Sequence, residues 1–177
     1  VAINGGVVNT TGAQSYGEAA TLGAATTLTS TASGAITFGN TLNGAQTLAV
    51  NTSGVTTFSG AVGDSTANLA IGALVVNSGA TTTFASTVDA ASVTTDATGT
   101  VVIQGGRITT SGAQTYNDAV TLGADTTLNG VAITLASTVK SNGTNRSLTI
   151  NDSGLTTLGG AIGSTTAGEK LTSITTD

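Results

Sequence analysis

The sequence of 177 residues contains no cysteine, histidine, proline, methionine or tryptophan. Without cysteine and histidine, the chain forms no disulfide, no zinc site of the usual type, no thiolate nucleophile and no histidine-based triad. Without proline, no strand loses a ladder hydrogen bond to a missing N–H group. We therefore predict no catalytic, cofactor-binding or metal-binding residues and expect that the chain is not an enzyme.

Charged side chains are also scarce, at 7% of the residues, against about 25% in typical globular proteins. The four basic residues, Arg107, Lys140, Arg146 and Lys170, form no stripe that could follow a phosphate backbone, so we expect no nucleic-acid partner. No apolar run reaches the roughly 18 residues of a membrane span, so we expect no membrane insertion. No signal peptide is visible at Val1. The lack of cysteine fits export without fixing a compartment.

The chain is instead rich in threonine, with 39 residues, and in glycine, with 25. Disordered chains are rich in charge and poor in β-branched residues, which is the opposite of this composition. Threonine, valine and isoleucine suit a pleated, half-buried surface. The composition therefore predicts an ordered, all-β fold.

Internal repeats organise the whole chain. Residues 5–28, GGVVNTTGAQSYGEAATLGAATTL, recur at 105–128 as GGRITTSGAQTYNDAVTLGADTTL, and residues 48–62 recur at 148–162 and again at 74–88. A long repeat over 1–96, ending SVTTD, thus matches a second over 101–177, ending SITTD, which is shorter by close to one repeat unit. We predict a single tandem-repeat domain over 1–177, with one removable extra unit that the sequence alone sets at residues 64–82.

Turn-like glycines recur along the chain, among them Gly34, Gly54, Gly99 and Gly112. Their intervals are irregular, with an average of roughly 20 residues, which is the length of a short repeat unit. This period predicts a parallel β-solenoid of about eight or nine coils, on the order of 40 Å long at the spacing of paired strands. We expect the glycines to supply the positive φ angles that corners need.

Apolar residues alternate within each unit, as in a strand with one buried face. We expect Leu48, Val50 and Phe58 to point inward, and Asn51 and Thr57 to point outward or into a corner.

The aromatic residues fall about one coil apart. Phe38, Phe58 and Phe84 are predicted to stack inside the coil rather than to form a platform for sugars on the surface. Tyr16 and Tyr116 recur in the motif GAQ(S/T)Y, and we interpret them as partly buried corner residues, with a binding role as the alternative.

The remaining polar residues give weak signals. Paired carboxylates could support glycoside hydrolysis, but the acidic residues are scattered, and Asp125 of the nearest pair, Asp118 and Asp125, is alanine in the other copy. The acidic residues are Glu18, Asp64, Asp89, Asp96, Asp118, Asp125, Asp152, Glu169 and Asp177. The calcium-binding motif G-G-x-G-x-D occurs only in fragments, at Gly159-Gly160 and Gly63-Asp64. Asn51, Asn77 and Asn151 are expected to form asparagine ladders or to bind backbone groups at corners.

The units GAQTYNDAVTLGADTTL and SGxTTF-x-G-x-V resemble repeats of large bacterial surface proteins, namely filamentous-haemagglutinin-like exoproteins and autotransporter passenger repeats. The resemblance implies a right-handed parallel β-helix, export across the outer membrane of a Gram-negative cell, and a role in adhesion or surface layers. It brings no catalytic residues, and it implies that the chain is an internal segment of a longer protein.

We therefore predict a structural segment of a secreted or cell-surface bacterial protein that acts as the stalk of an adhesin. Its partners would be neighbouring repeats or copies of itself end to end, and host or cell-surface carbohydrate or protein. The alternative is a self-assembling subunit of an extracellular filament, sheath or surface layer, because open solenoid ends expose sheet edges. A third hypothesis, ice binding by outward threonine rows, is disfavoured by the irregular coil lengths.

Overall fold

The computed structural model describes residues 1–64, 67 and 69–177. It confirms an all-β solenoid of about eight turns, in which every paired strand is parallel to its neighbour. The described residues form no α-helix. Because parallel neighbours must be reached by a crossover, each coil returns the chain to the same face one level further along the stack.

Each complete coil contributes a strand position to each of three faces. The first face contains β1 (Ala2–Ile3), β4 (Ala20–Leu22), β7 (Leu42–Asn43), β14 (Arg107–Thr110), β17 (Thr126–Gly130), β20 (Arg146–Asp152) and β22 (Leu171–Thr176). The second face contains β2 (Val7–Thr10), β5 (Thr26–Ser30), β8 (Leu48–Thr52), β10 (Ile71–Ser78), β15 (Gln114–Tyr116), β18 (Ile133–Leu135) and β21 (Thr156–Leu158). The third face contains β3 (Gln14–Tyr16), β6 (Ile36–Phe38), β9 (Thr56–Phe58), β11 (Thr81–Phe84), β13 (Thr100–Ile103), β16 (Ala119–Leu122) and β19 (Val139–Ser141).

Strand β12 (Val88–Thr95) turns from the first face to the second without a break. Its residues 88–90 pair with β14, and its residues 93–95 pair with β15. Two single residues complete the faces where no strand is formed. Val62 bridges Leu42 and Val88 on the first face, and Ile162 bridges to Val139 on the third. The three faces therefore continue from one end of the stack to the other.

The number of residues in a coil varies, but the paired strands of most neighbouring coils keep a constant register. The step along the chain from Leu74 to its partner Val93 is short, whereas the step from Phe58 to its partner Phe84 is clearly longer. The short interval between Gly99 and Gly112 is not a coil. Gly99 lies between the second and third faces, and Gly112 lies between the first and second.

The inward residues form columns that run along the stack. Leu48, Val50 and Phe58 are buried, while Asn51 and Thr57 are partly exposed, so the predicted alternation is confirmed. One column on the second face runs through Val8, Leu28, Val50, Val76, Thr95, Tyr116, Leu135 and Leu158. Inside the stack, each of these side chains is covered by the coil before it and the coil after it. This burial supplies the main stabilisation, at about 1.5–3 kcal/mol for each large apolar side chain.

The expectation that turn glycines supply positive φ angles is wrong for the Ser-Gly corners. Neither Gly34 nor Gly54 has a positive φ angle. The glycines that do are Gly6, Gly44, Gly63, Gly106, Gly143, Gly163 and Gly168. The corners need glycine because successive coils approach closely there. A Cβ on Gly34 would lie 2.3 Å from the carbonyl carbon of Gly12, and one on Gly54 would lie 2.2 Å from the oxygen of Ser33.

A ladder of buried hydroxyl groups binds the same corner from coil to coil. Ser30 Oγ donates to Gly12 O at 3.0 Å, and Thr52 Oγ1 donates to Gly34 O at 2.7 Å. Ser78 Oγ continues the series by donating to Gly54 O at 2.8 Å. The hydroxyl of one coil thus satisfies the corner carbonyl of the previous coil, which explains why serine or threonine recurs just before the glycine.

Equivalent strands of the two long repeats lie on different faces. From Gln14 in β3 to its counterpart Gln114 in β15, the chain passes through 14 strand positions, or four and two-thirds coils. From Val93 to its counterpart Ile174 it passes through 11, or three and two-thirds. The two spans differ by three positions, which is one whole coil. At the end of each span, the chain therefore lies on the face that precedes its starting face: Gln114 lies on the second face, whereas Gln14 lies on the third.

Candidate functional site

The aromatic residues form a buried stack on the third face. Tyr16, Phe38, Phe58 and Phe84 follow one another with ring centroids 4.8, 5.3 and 5.4 Å apart and nearly parallel planes. The three phenylalanines are buried, so internal stacking is confirmed and the alternative of a surface platform for sugars is wrong. Offset stacking at these distances adds stability beyond the burial of the rings.

The two tyrosines lie in strands, which corrects their interpretation as corner residues. Tyr16 is partly buried, and Tyr116 is fully buried. Each hydroxyl donates to the amide oxygen of the glutamine two residues before it, Gln14 or Gln114, at 2.9 Å. Burial raises the pKa of both phenols, so both remain protonated donors. The recurring motif is therefore an internal polar clamp.

The same clamp binds the next coil in both copies. Gln14 Nε2 donates to Thr29 O at 2.9 Å, and Gln114 Nε2 donates to Asn129 O at 2.8 Å. The alternative of a binding role for the tyrosines finds no support in this geometry, because the tyrosine hydroxyl and the glutamine amide form their hydrogen bonds within the stack.

Most of the acidic residues bind the backbone of a neighbouring coil. Asp118 accepts from Gly99 N at 2.7 Å, and Asp152 accepts from Ile133 N at 2.8 Å. Three more acids do the same: Asp96 with Ser78 N at 3.2 Å, Asp125 with Ser147 N at 2.9 Å, and Asp177 with Asp152 N at 2.8 Å. Carboxylates at these positions cap N–H groups that the strand ladders leave free.

The pair that is closest in sequence is not a pair in space. Asp118 lies between the second and third faces, whereas Asp125 lies between the third and the first. Burial raises the pKa of Asp118, and the charge of Asp96 raises it further, while the N–H of Gly99 lowers it. The hydroxyl of Thr95 also favours the charged form, but Thr95 Oγ1 and Asp118 Oδ2 make no regular hydrogen bond among the described residues.

Asp152 shows the opposite balance. Burial would raise the pKa of its carboxyl, but the N–H groups of Gly154 and Ile133 and the hydroxyl of Thr156 together lower it. The carboxylate is thus held charged as a three-way cap. In the described part of the chain, no three acidic side chains come together as a metal site would require.

Among the described residues, Asp89 and Glu169 form ion pairs with basic side chains. Asp89, which is buried, accepts from Arg107 Nη1 at 2.8 Å and from Nη2 at 3.1 Å. The hydrogen bond to Asp89 raises the pKa of Arg107, and Asp64 adds to it. Glu169 accepts from Lys140 at 2.7 Å, and this hydrogen bond lowers its pKa. Glu18 is exposed after β3.

Two concave regions on the described surface adjoin a charged side chain. A groove of about 260 Å³ beside the Asp89 carboxylate is lined by Ala70, Ile71, Asp89, Ala90, Ala91, Thr109, Thr110 and Ser111. A wider depression of about 570 Å³ lies on the last coil and is lined by Ile162, Gly163, Ser164, Thr165, Lys170, Leu171, Ser173 and Ile174. Neither contains converging ionisable groups beyond the single Asp89 or Lys170.

Asparagine ladders are present on the outer surface. Asn77 Nδ2 donates to Asn51 Oδ1 at 2.8 Å, and Asn151 Nδ2 donates to Asn129 Oδ1 at 2.7 Å. The sequence pattern identified Asn51, Asn77 and Asn151, which follow L-x-(V/I) pairs. It missed Asn129, which follows Thr126 and Leu128 and has Thr29 as its counterpart in the first repeat. These ladders lie on strands rather than in corners, on the second face in the first repeat and on the first face in the second.

Outward hydroxyl groups form a row on the third face. Ser15, Thr37, Thr57 and Thr83 are register partners in successive coils. The unequal coil lengths are taken up outside the third face, so they do not disturb this row. The expectation that irregular coil lengths prevent a regular threonine array is therefore wrong for this face.

No protein family, curated protein or solved structure matches the chain. Among the described residues there is no helix with the length and hydropathy that a transmembrane span requires. The outward polar rows are the regular surface features that the described faces present.

Proposed function

We propose that the chain is a structural rod segment of a secreted or cell-surface bacterial protein and that it acts as the stalk of an adhesin rather than as an enzyme. The observation that carries this proposal is the continuity of the inward columns, which run from coil to coil through the whole stack. In such a stack each coil contacts only its neighbours, so length grows with coil number at about 4.8 Å per coil.

The use of the charged residues supports the same function. Five acidic side chains cap the backbone of adjacent coils, and two more form ion pairs. Most of the acidic side chains therefore stabilise contacts between neighbouring coils. The asparagine and threonine rows leave uncharged, polar flanks that suit weak multivalent contacts with carbohydrate or protein.

A self-assembling subunit of an extracellular filament, sheath or surface layer is the second candidate function. It is favoured by the uninterrupted parallel ladders, because strands that pair edge to edge within the chain can pair in the same way between copies.

The cellular location is tested by labelling intact cells that encode the chain. An amine-reactive reagent that does not cross membranes should modify Lys170, which is exposed. An abundant cytoplasmic protein in the same cells serves as the control and should stay unlabelled. Labelling of Lys170 only after lysis would overturn the proposed surface location.

The rod itself is tested by two deletions of the same length. Ser92 is the register partner of Ala73 in the next coil, so deletion of residues 73–91 joins Gly72 to a residue that takes Ala73's place. Deletion of residues 64–82, the unit set from the sequence alone, instead joins Gly63 near the first face to Thr83 on the third and removes β10 from the second. The structure therefore moves the removable coil to 73–91.

The two deletion variants should behave very differently. The first should give a folded rod, shorter by about 4.8 Å in solution scattering. The second should lose a large part of the cooperative melt, because Leu48 and Val50 lose the strand that covers them. Equal damage by the two deletions would contradict the rod.

A further inference from the structure

The groove beside Asp89 crosses three successive coils at the corner between the first and second faces. It is bordered by the start of β10, the middle of β12 and the end of β14. Ile71 is the register partner of Ala90, and Ala90 is the partner of Thr110, so the groove follows one column of the stack. Its volume of about 260 Å³ lies just below the roughly 300–1,000 Å³ of sites for drug-sized ligands. A groove of this size suits a single small, ring-shaped unit.

The lining of the groove combines apolar and polar groups. Ala70 is half-buried and Ala91 is exposed, so the methyl groups of both can contact a ligand. The polar groups come from Asp89, Thr109 and Ser111. Apolar area with a few well-placed polar groups is typical of sites for small molecules.

The polar part of the lining places a hydrogen-bond acceptor beside a donor. Asp89 is 3% exposed, and Arg107 Nη1 and Nη2 each donate to one of its carboxylate oxygens. A carboxylate accepts up to about four hydrogen bonds, so Asp89 keeps acceptor capacity. Thr109 Oγ1 accepts from Arg107 Nη1 at 2.9 Å and from Asn129 Nδ2 at 3.2 Å, which leaves its hydroxyl hydrogen to donate. Because Asp89 and Thr109 are register partners in adjacent coils, this acceptor and this donor lie side by side.

Backbone groups at this corner are engaged between coils. Ser111 N donates to Ala90 O at 3.2 Å. Gly112 N donates to Ala91 O at 2.9 Å. A peptide that binds as an added strand needs a free sheet edge, and these groups already pair with each other. Recognition therefore falls to the side chains, which favours a ligand rich in hydroxyl groups over a peptide.

The charges near the groove favour a neutral ligand. Asp89 pairs with Arg107, and the charge of Asp64 also acts on that guanidinium and raises its pKa. Two carboxylates thus act on one cation, so an anionic ligand would meet repulsion. An ammonium group would have to compete with Arg107 for Asp89.

We propose that this groove binds a neutral sugar unit of a glycan. One ring hydroxyl donates to Asp89, a neighbouring hydroxyl accepts from Thr109, and the C–H groups of the ring contact Ala70 and Ala91. The proposal rests on the proposed adhesin function and deepens it, because it gives the stalk a defined carbohydrate site. A single sugar makes few contacts, so its Kd should be on the order of 1 mM.

NMR titration of the isotope-labelled protein tests the site, because the shifted amide signals report both the affinity and the place of binding. Methyl glycosides of glucose, galactose, mannose and N-acetylglucosamine are the neutral probes, and glucuronate is the anionic one. At least one neutral probe should shift the amide signals of Ala70, Ala91 and Ser111. Glucuronate should bind more weakly, by about tenfold.

Ala91→Leu is the blocking variant, because Ala91 is exposed and a leucine side chain there would occupy the groove. Ala32→Leu is the matched control, because Ala32 is exposed at a corner between the second and third faces. Circular dichroism first establishes that both variants keep their β structure. Ala91→Leu should weaken sugar binding by about tenfold or more, and Ala32→Leu should leave it unchanged. The variant without residues 73–91 lacks Asp89 and should fold without binding the sugar.

Three results would overturn the site: no neutral probe binds, the shifts map to another part of the surface, or Ala91→Leu binds as tightly as Ala32→Leu. Glucuronate binding as tightly as the neutral probes would overturn the neutral specificity. None of these results bears on the stalk, which surface labelling and coil deletion test separately. Conversely, labelling of Lys170 only after lysis would remove the adhesin function, but these titrations would still detect the sugar site.

Discussion

Replacing Thr82 by valine should stabilise the protein. Thr82 points inward on the third face, between Thr56 and Val101 in the same column. It is fully buried, and its hydroxyl makes no hydrogen bond among the described residues. Other coils place apolar residues in this column, at Ile36, Val101 and Val120. The column therefore carries a hydroxyl group that it does not use.

The size of the effect follows from this environment. A buried polar group without a partner costs about 1–3 kcal/mol. Valine has nearly the same shape as threonine, so Thr82→Val should recover roughly 1 kcal/mol without leaving a cavity. In a chain of this length, that gain corresponds to a rise of about 2–4 °C in the melting temperature. Thr56→Val should act similarly, but the two gains should not add fully because the residues are in contact.

Thermal and urea unfolding, followed by circular dichroism, would measure the change. Thr83→Val is the matched control, because Thr83 points outward on the same strand and is partly exposed. The control should change stability by no more than about 0.5 kcal/mol. A clear loss of stability in Thr82→Val, with a neutral control, would refute the reasoning. It would mean that the buried hydroxyl has a partner, such as an enclosed water molecule.

Three further perturbations follow from the structure. Gly34→Ala should lower the melting temperature strongly, because its Cβ would meet the backbone of the previous coil, whereas Gly12→Ala meets nothing within 4 Å and should be nearly neutral. Tyr116→Phe leaves a buried amide oxygen unpaired and should cost about 1–3 kcal/mol in urea unfolding, and more than Tyr16→Phe, which lies at a partly buried site. The raised pKa of Asp118 means that the native state binds its proton more tightly than the unfolded state, so the stability that this carboxyl contributes should fall as pH rises above the ordinary aspartate range. Asp118→Asn should remove this contribution in melts between pH 4 and 7, and a slope of stability against pH equal to that of the unchanged protein would contradict it.

The strand alternation and the aromatic stack could be predicted from the sequence because both depend on short-range spacing. Side chains alternate every two residues, so Leu48 and Val50 share a side whatever lies next to them. Phe38 and Phe58 are separated by close to one coil, and a solenoid of any cross-section then places them one above the other. Neither inference requires knowledge of where the corners are.

The corners could not be predicted in the same way, because their chemistry involves two coils at once. Gly54 looks like an ordinary turn glycine, but it is required because Ser33 of the previous coil comes too close for a side chain. Asp118 looks like a surface acid, but its partner is Gly99 in the previous coil. Pairings of this kind become visible only when the length of each coil is known.

For the same reason, the constant sequence offset between the two repeats does not reveal on which face an equivalent residue lies. Five coils of equal length would also fit that offset, and then Tyr16 and Tyr116 would share a face. The pairing shows four and two-thirds coils instead, because successive coil steps are unequal, as from Phe58 to Phe84 and from Phe84 to Ile103. Tyr16 therefore stacks on Phe38, whereas Tyr116 lies above Leu135 on another face.

The difference between the two long repeats shows which length changes the stack accepts. Extra residues between two paired positions leave the pairing on either side unchanged. Val62 pairs with Val88 and Ile71 with Ala90, although many more residues separate Val62 from Ile71 than separate Val88 from Ala90. A change in the number of strand positions is tolerated only in threes, because one or two positions would move every later strand to another face and break its column. The two repeats meet this condition, because they differ by three strand positions. Each repeat therefore ends on the face that precedes the one on which it began. The constant fraction matters more than the constant length, since it is what keeps paired strands in register from coil to coil.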